Sequence, residues 1–116
     1  MIDWNLTNSK EKRTNWFFPS FEIQEYLLPI INVGGPDFDE YGDTKYSLED
    51  CFRLRKAVDY HLEGLRLSNK VKIRYETMYK GMESLNKQLI IDTLCYLREA
   101  AELAIKERSG IIFYGD

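Results

Sequence analysis

The residues best suited to chemistry in this chain lie between positions 36 and 50. This stretch gathers six carboxylates (Asp37, Asp39, Glu40, Asp43, Glu49 and Asp50), one lysine (Lys45) and three aromatic rings (Phe38, Tyr41 and Tyr46). The whole chain carries a formal charge of only −3, so the acidity is local. Clustered carboxylates can hold a cation, work in pairs as acid and base, or meet a basic partner. For calcium, Asp37, Asp39 and Gly42 fit positions 1, 3 and 6 of an EF-hand-like loop, but Tyr41 stands at position 5 and Leu48 at position 12. The twelfth position needs a bidentate glutamate, so the calcium reading fails. A hydrolytic pair needs two carboxylates held about 5–10 Å apart in a rigid cleft, and nothing in the segment supplies that rigidity.

Partner binding is the reading that uses both the charges and the rings. Aromatic side chains supply contact area at the centre of an interface, and carboxylates around them steer and orient a basic partner. The predicted binding surface comprises Asp37, Phe38, Asp39, Glu40, Tyr41, Asp43, Tyr46, Glu49 and Asp50. Asp37, Asp39, Glu40 and Asp43 would imitate phosphates, while Phe38, Tyr41 and Tyr46 would anchor the contact. The plain alternative is a solvated loop, and Glu49 and Asp50 also suit the first turn of a helix, where the dipole favours negative charge.

Other candidates are weaker. Cys51 and His61 lie ten residues apart, roughly 15 Å along one helix, too far for a thiol–imidazole pair. Cys95 could reach His61 only through tertiary packing. One histidine and two scattered cysteines do not make a zinc site. Gly34-Gly35 matches no phosphate-binding spacing and reads as a turn. Residues 53–74 carry Arg53, Arg55, Lys56, Arg66, Lys70, Lys72 and Arg74 against Asp59 and Glu63. Clustered cations of this kind can neutralise phosphates, so a nucleic-acid-binding regulator is the alternative function. Several of these charges have acidic partners one turn away, which favours a solvated helix face.

The elements that must position these residues read as mainly helical. Ser20 opens a helix bearing Ile23, Tyr26, Leu27, Ile30 and Ile31, which Pro29 kinks or ends near Leu28. Ser47-Leu48-Glu49-Asp50 has the capping layout of a second helix, with Leu48, Cys51, Phe52, Val58, Leu62 and Leu65 as its apolar stripe. Glu49 with Arg53, and Arg55 with Asp59, are spaced to pair on its outer face. Residues 71–82 fit either period. The helical alternative is preferred because it buries Met78 and Met82. Asn86 caps a last helix running to about Arg108, with Gly110 just past its end. Ile2, Trp4 and Leu6 alternate like a strand, and Ile111-Ile112-Phe113-Tyr114 should return to the core beside them. The expected fold is a single domain over residues 1–116, a compact bundle of three to four helices with a small two-stranded element where the termini meet.

Of the 116 residues, 44% are apolar and 30% charged, which supplies a core and argues against membrane insertion. The N-terminus lacks a basic region followed by an apolar one, so no signal peptide is expected. Two cysteines do not form a disulfide framework, which points to a reducing cytoplasm. In size, in charge, in the Asp37-to-Asp50 surface and in its closing run from Ser109 to Asp116, the chain resembles the immunity proteins of bacterial toxin systems. Those proteins block a co-produced toxin by covering its active site. The resemblance implies a cognate basic toxin as partner, for instance a nuclease, and no catalysis, metal or cofactor.

Overall fold

Each helix begins at a side chain that closes its first turn. Ser20 Oγ accepts the Ile23 N–H at 3.2 Å, Ser47 Oγ the Asp50 N–H at 3.2 Å, and Asn86 Oδ1 the Leu89 N–H at 3.1 Å. These caps satisfy backbone donors that have no partner inside the helix. The helices they start are α1 (Phe21–Ile31), α2 (Leu48–Leu67) and α3 (Lys87–Lys106). At α2 the cap is reciprocal, because Asp50 Oδ2 accepts the Ser47 N–H at 3.0 Å. Pro29 does not stop α1, which runs on to Ile31.

The computed structural model describes residues 1–9, 11, 15–33, 38–39, 41–77 and 81–115. Its strands are β1 (Asp3–Leu6), β2 (Asp43–Tyr46), β3 (Lys72–Thr77), β4 (Gly81–Asn86) and β5 (Ile111–Tyr114). Among the described residues helix accounts for 50% and strand for 24%, so the expected mainly helical bundle is overturned in favour of a mixed α/β fold. Two regions account for the difference. Residues 72–77 and 81–86 form an antiparallel hairpin, with Lys72 opposite Asn86 and Thr77 opposite Gly81, not the preferred helix. Gly81, at φ 72°, supplies the left-handed residue where β4 begins. Met82 is consequently 53% exposed, and Met78 and Tyr79 lie outside the described residues. The second region is β2, a strand inside the acidic stretch.

The pairing expected between the termini is present and extended. β5 runs antiparallel between β1 and β2, in the order β1-β5-β2. Trp4 faces Phe113 and Leu6 faces Ile111 on one side; Thr44 and Tyr46 face the same two residues on the other. The sheet packs on α2 and α3, and its inward residues share one core with Leu54, Val58 and Leu62 of α2 and with Ile90, Leu94, Leu97 and three buried alanines of α3. Burying each large apolar side chain contributes about 1.5–3 kcal/mol.

The expected ion pairs on α2 are replaced by others. Arg53 Nη1 meets Asp50 Oδ1 at 3.0 Å, because the capping box already holds Asp50 in place. Asp59 pairs with Arg98 of α3 at 3.0 Å, and Arg98 also meets Glu102 at 3.1 Å. The Arg98, Asp59 and Glu102 side chains are about half exposed, so each of their pairs contributes less than about 1 kcal/mol.

The end of α3 also differs from expectation. Ser109 N–H donates to Ala104 O at 2.8 Å and Arg108 N–H to Ile105 O at 3.2 Å, a Schellman closure. Its left-handed residue is Arg108, at φ 53°, not a glycine. Gly110 serves the sheet instead. A Cβ there would run into the Tyr46 carbonyl oxygen, so glycine lets β5 enter beside β2. Two substitutions should therefore act in opposite directions. Arg108→Gly should raise stability by about 1 kcal/mol by relieving the left-handed penalty. Gly110→Ala should lower it by about 1–3 kcal/mol through overpacking. Urea unfolding checks both, and a midpoint for Gly110→Ala at or above wild type would contradict the packing argument.

Candidate functional site

The turn that carries the acidic residues is built by Asp39. Its Oδ1 accepts the Tyr41 N–H at 2.9 Å, and its carbonyl accepts the Gly42 N–H at 3.4 Å. Its own N–H donates to Thr44 Oγ1 at 3.1 Å. An aspartate that bonds the backbone two residues on is a natural opener of a tight turn. Gly42 leaves room for that carboxylate, since a Cβ would sit 2.6 Å from Asp39 Oδ2. The Gly42 carbonyl then accepts the Gly115 N–H at 2.9 Å, which ties the turn to the end of β5. Gly115 is equally constrained, because a Cβ would lie 2.7 Å from Gly42 N and 2.8 Å from Asp39 O. So fixed, the turn leaves Tyr41 83% exposed.

The sheet continues this corner. Trp4, Phe113 and Thr44 are buried against the helices, so the adjoining rung of Asp3, Tyr114 and Asp43 lies on the opposite, outward face. Tyr114, 37% exposed, stands between two carboxylates roughly 10 Å apart, two strand spacings. The next outward rung holds Lys45, Ile112 and Asn5. There Asn5 is covered, its Nδ2 donating to Glu11 O at 2.9 Å. The result is an acidic corner with two accessible phenols, Tyr41 and Tyr114, and three carboxylates, Asp3, Asp39 and Asp43. Among the described residues no group of three or more His, Cys, Asp or Glu is placed to hold a metal ion.

The structure therefore divides the residues predicted from the sequence. Tyr41, Asp39, Asp43 and Glu49 are exposed. Tyr46 is not: it is 1% exposed, and its hydroxyl donates to Ile31 O at 2.6 Å. Phe38 packs inward, edge-on to Phe113 at 4.9 Å and 5.6 Å from Tyr46. The anchoring role expected of Phe38 and Tyr46 is corrected to one in the core. Asp50 is 8% exposed and is occupied by the capping box and Arg53. Asp37 and Glu40 lie outside the described residues. Sequence reasoning missed Asp3 and Tyr114, whose proximity to Asp43 depends on a strand pairing across the whole chain. The alternation of Ile2, Trp4 and Leu6 with the polar Asp3 and Asn5 was the available signal.

The basic segment is split by the fold. Arg53, Arg55 and Lys56 lie in the first half of α2, whereas Lys70, Lys72 and Arg74 lie beyond its far end, on the connection to β3 and in β3 itself. A 20-residue helix spans about 30 Å. The acidic corner and the cations past Leu67 are therefore at opposite ends of α2, not side by side.

Burial sets the character of the remaining titratable groups. The Cys51 thiol is pushed up to about 11, by burial first and then by the Asp50 charge, with a hydrogen bond from the Ile111 backbone opposing. Burial, with smaller contributions from the neighbouring Asp50 and Cys51, also raises the Tyr46 phenol. Cys51 is thus an inert core thiol. His61 Nε2 lies 2.9 Å from the Tyr26 hydroxyl, and Tyr26 stacks edge-on to Tyr75 at 5.3 Å. Burial lowers the His61 pKa below its ordinary value because the imidazolium loses water.

A folded-state pKa below the unfolded one means that the unfolded chain binds more protons near pH 6. The stability due to neutral His61 is present above about pH 6.5 and is lost as pH falls toward the folded value. Urea unfolding at about pH 7.5 and about pH 5 should show a larger loss for the wild type than for His61→Gln. Equal losses would contradict the assignment.

No protein-family model, curated protein sequence or solved structure matches this chain.

Proposed function

We propose that the chain acts by binding, not by catalysis, as an immunity-type inhibitor that covers a basic toxin protein with its acidic corner. The observation that carries this reading is Tyr41, held 83% exposed by a turn that Asp39, Gly42 and Gly115 fix in place. A ring kept in water by a well-bonded turn contributes little to the fold. At an interface the same ring buries a large area, and its preset position reduces the entropy lost on binding. Asp3, Asp39 and Asp43 surround it with negative charge, which speeds and orients the approach of a cationic surface. Tyr114 extends the contact onto the sheet. Free Cys51 and Cys95 are consistent with action in the reducing cytoplasm.

The test uses the full chain as bait against host-cell extract, beside a Tyr41→Ala/Asp43→Lys variant. Neither substitution touches the core or the bonds that shape the turn. The wild type should retain a basic protein at low salt and release it at about 0.5 M salt, where surface charges are screened. The double variant should lose about 2 kcal/mol or more of affinity, as expected for an exposed aromatic anchor. Equal retention of the same protein by both baits would remove the proposal.

A further inference from the structure

A second candidate site lies away from the acidic corner, where α1 meets α2. A groove of about 500 Å³ is lined by Ile30 of α1 and by Arg53, Lys56, Ala57, Tyr60 and His61 of α2. The volume is within the range of small-ligand pockets. Positions 53, 56, 57 and 60 recur at intervals of three and four, so they share one stripe of the helix. From Arg53 to His61 that stripe runs about 12 Å along the axis. This length suits a small molecule better than a partner helix.

Three features say what would fit. The floor is apolar, formed by Ile30 and Ala57. One wall is the Tyr60 ring, which is 82% exposed and stacks on no other ring among the described residues. The rim is cationic. Arg53 shares one guanidinium nitrogen with Asp50 at 3.0 Å, which holds its side chain in place, and its other N–H groups have no partner among the described residues. Lys56 is exposed and makes no ion pair among the described residues. An apolar floor, an exposed ring and a cationic rim together match a molecule with an aromatic body and an anionic end.

We propose that this groove binds a small aromatic anion, its ring lying against Tyr60 and Ile30 and its carboxylate or equivalent group meeting Lys56 and Arg53. A neutral aromatic would gain the floor but not the rim. A cationic one would be repelled. The site is separate from the acidic corner, so it can stand or fall independently of the toxin-binding reading.

His61 lines the groove and is the only histidine in the chain, so its ring proton resonances report directly on occupancy. The experiment titrates 1-naphthoate into the full chain at neutral pH and follows the histidine signals by NMR. Uncharged 1-naphthalenemethanol and cationic 1-naphthylmethylamine serve as controls. The expected result is a saturable shift with the carboxylate and a much weaker one with the other two probes. Lys56→Gln should weaken 1-naphthoate about threefold to fivefold, as loss of one exposed charge pair implies. Ala57→Trp should fill the groove and abolish the shift. Both substitutions replace residues outside the buried core, and unchanged circular dichroism would establish that the variants remain folded. Histidine signals that do not move with 1-naphthoate, or that move equally with all three probes, would overturn the proposal. So would a shift that both folded variants retain at wild-type affinity.

Discussion

The fold depends on the insertion of its last strand between two strands drawn from distant parts of the chain. β5 pairs with β1 along one edge and with β2 along the other, so its backbone groups are used in both directions. Phe113 concentrates the packing that follows. Its ring lies 4.9 Å from Phe38, 5.0 Å from Tyr46 and 6.1 Å from Trp4. Four segments separated in sequence thus meet at one side chain. Closing such long loops costs chain entropy before any contact forms. A cluster of large rings, each burying 150–250 Å² in a typical core, is the kind of compensation that closure requires. The acidic corner is a consequence of the same insertion, because Gly115 extends β5 just far enough to hold Gly42 through one hydrogen bond.

That dependence explains why some of this fold was legible in the sequence and some was not. Ser20, Ser47 and Asn86 announced their helices because capping is a local interaction between a side chain and a backbone donor three residues on. The return of Ile111–Tyr114 to residues 2–6 was also readable, since four large apolar residues have few places to go. The hairpin was not resolved, because Val71, Ile73, Tyr75, Thr77 and Tyr79 follow a period of two while Val71, Tyr75, Met78, Tyr79, Met82 and Leu85 follow a period of 3.6. Gly81 was the discriminating residue. In a helix interior it would cost about 1 kcal/mol relative to alanine; between two alternating runs it supplies a left-handed turn. β2 was hidden for a different reason. Only Thr44 and Tyr46 point inward from its four residues, and the surrounding carboxylates made the segment look like loop.

The acidic run also shows how one stretch of like-charged residues can be divided between architecture and surface. Asp50 commits its oxygens to the Ser47 cap and to Arg53. Asp39 shapes the turn while remaining exposed. Asp43 occupies a strand position that faces outward, and the pleat brings it into line with Tyr114 and Asp3. Of the three rings in the run, two entered the core, and the one left outside sits on the turn that Asp39 and Gly42 hold. Composition alone could not make this division, because it depends on strand register.

Native-state hydrogen exchange of β5 is the most direct measurement of the central claim. Chain termini ordinarily fray, so their amides exchange through small local openings. Here the amides of Ile111, Ile112 and Phe113 should exchange only through global unfolding, with protection equal to that of the buried centre of α3 around Leu94 and Leu97. Exchange of the β5 amides orders of magnitude faster than that of α3 would show that the last strand is a dispensable edge, and the account built on its insertion would be wrong.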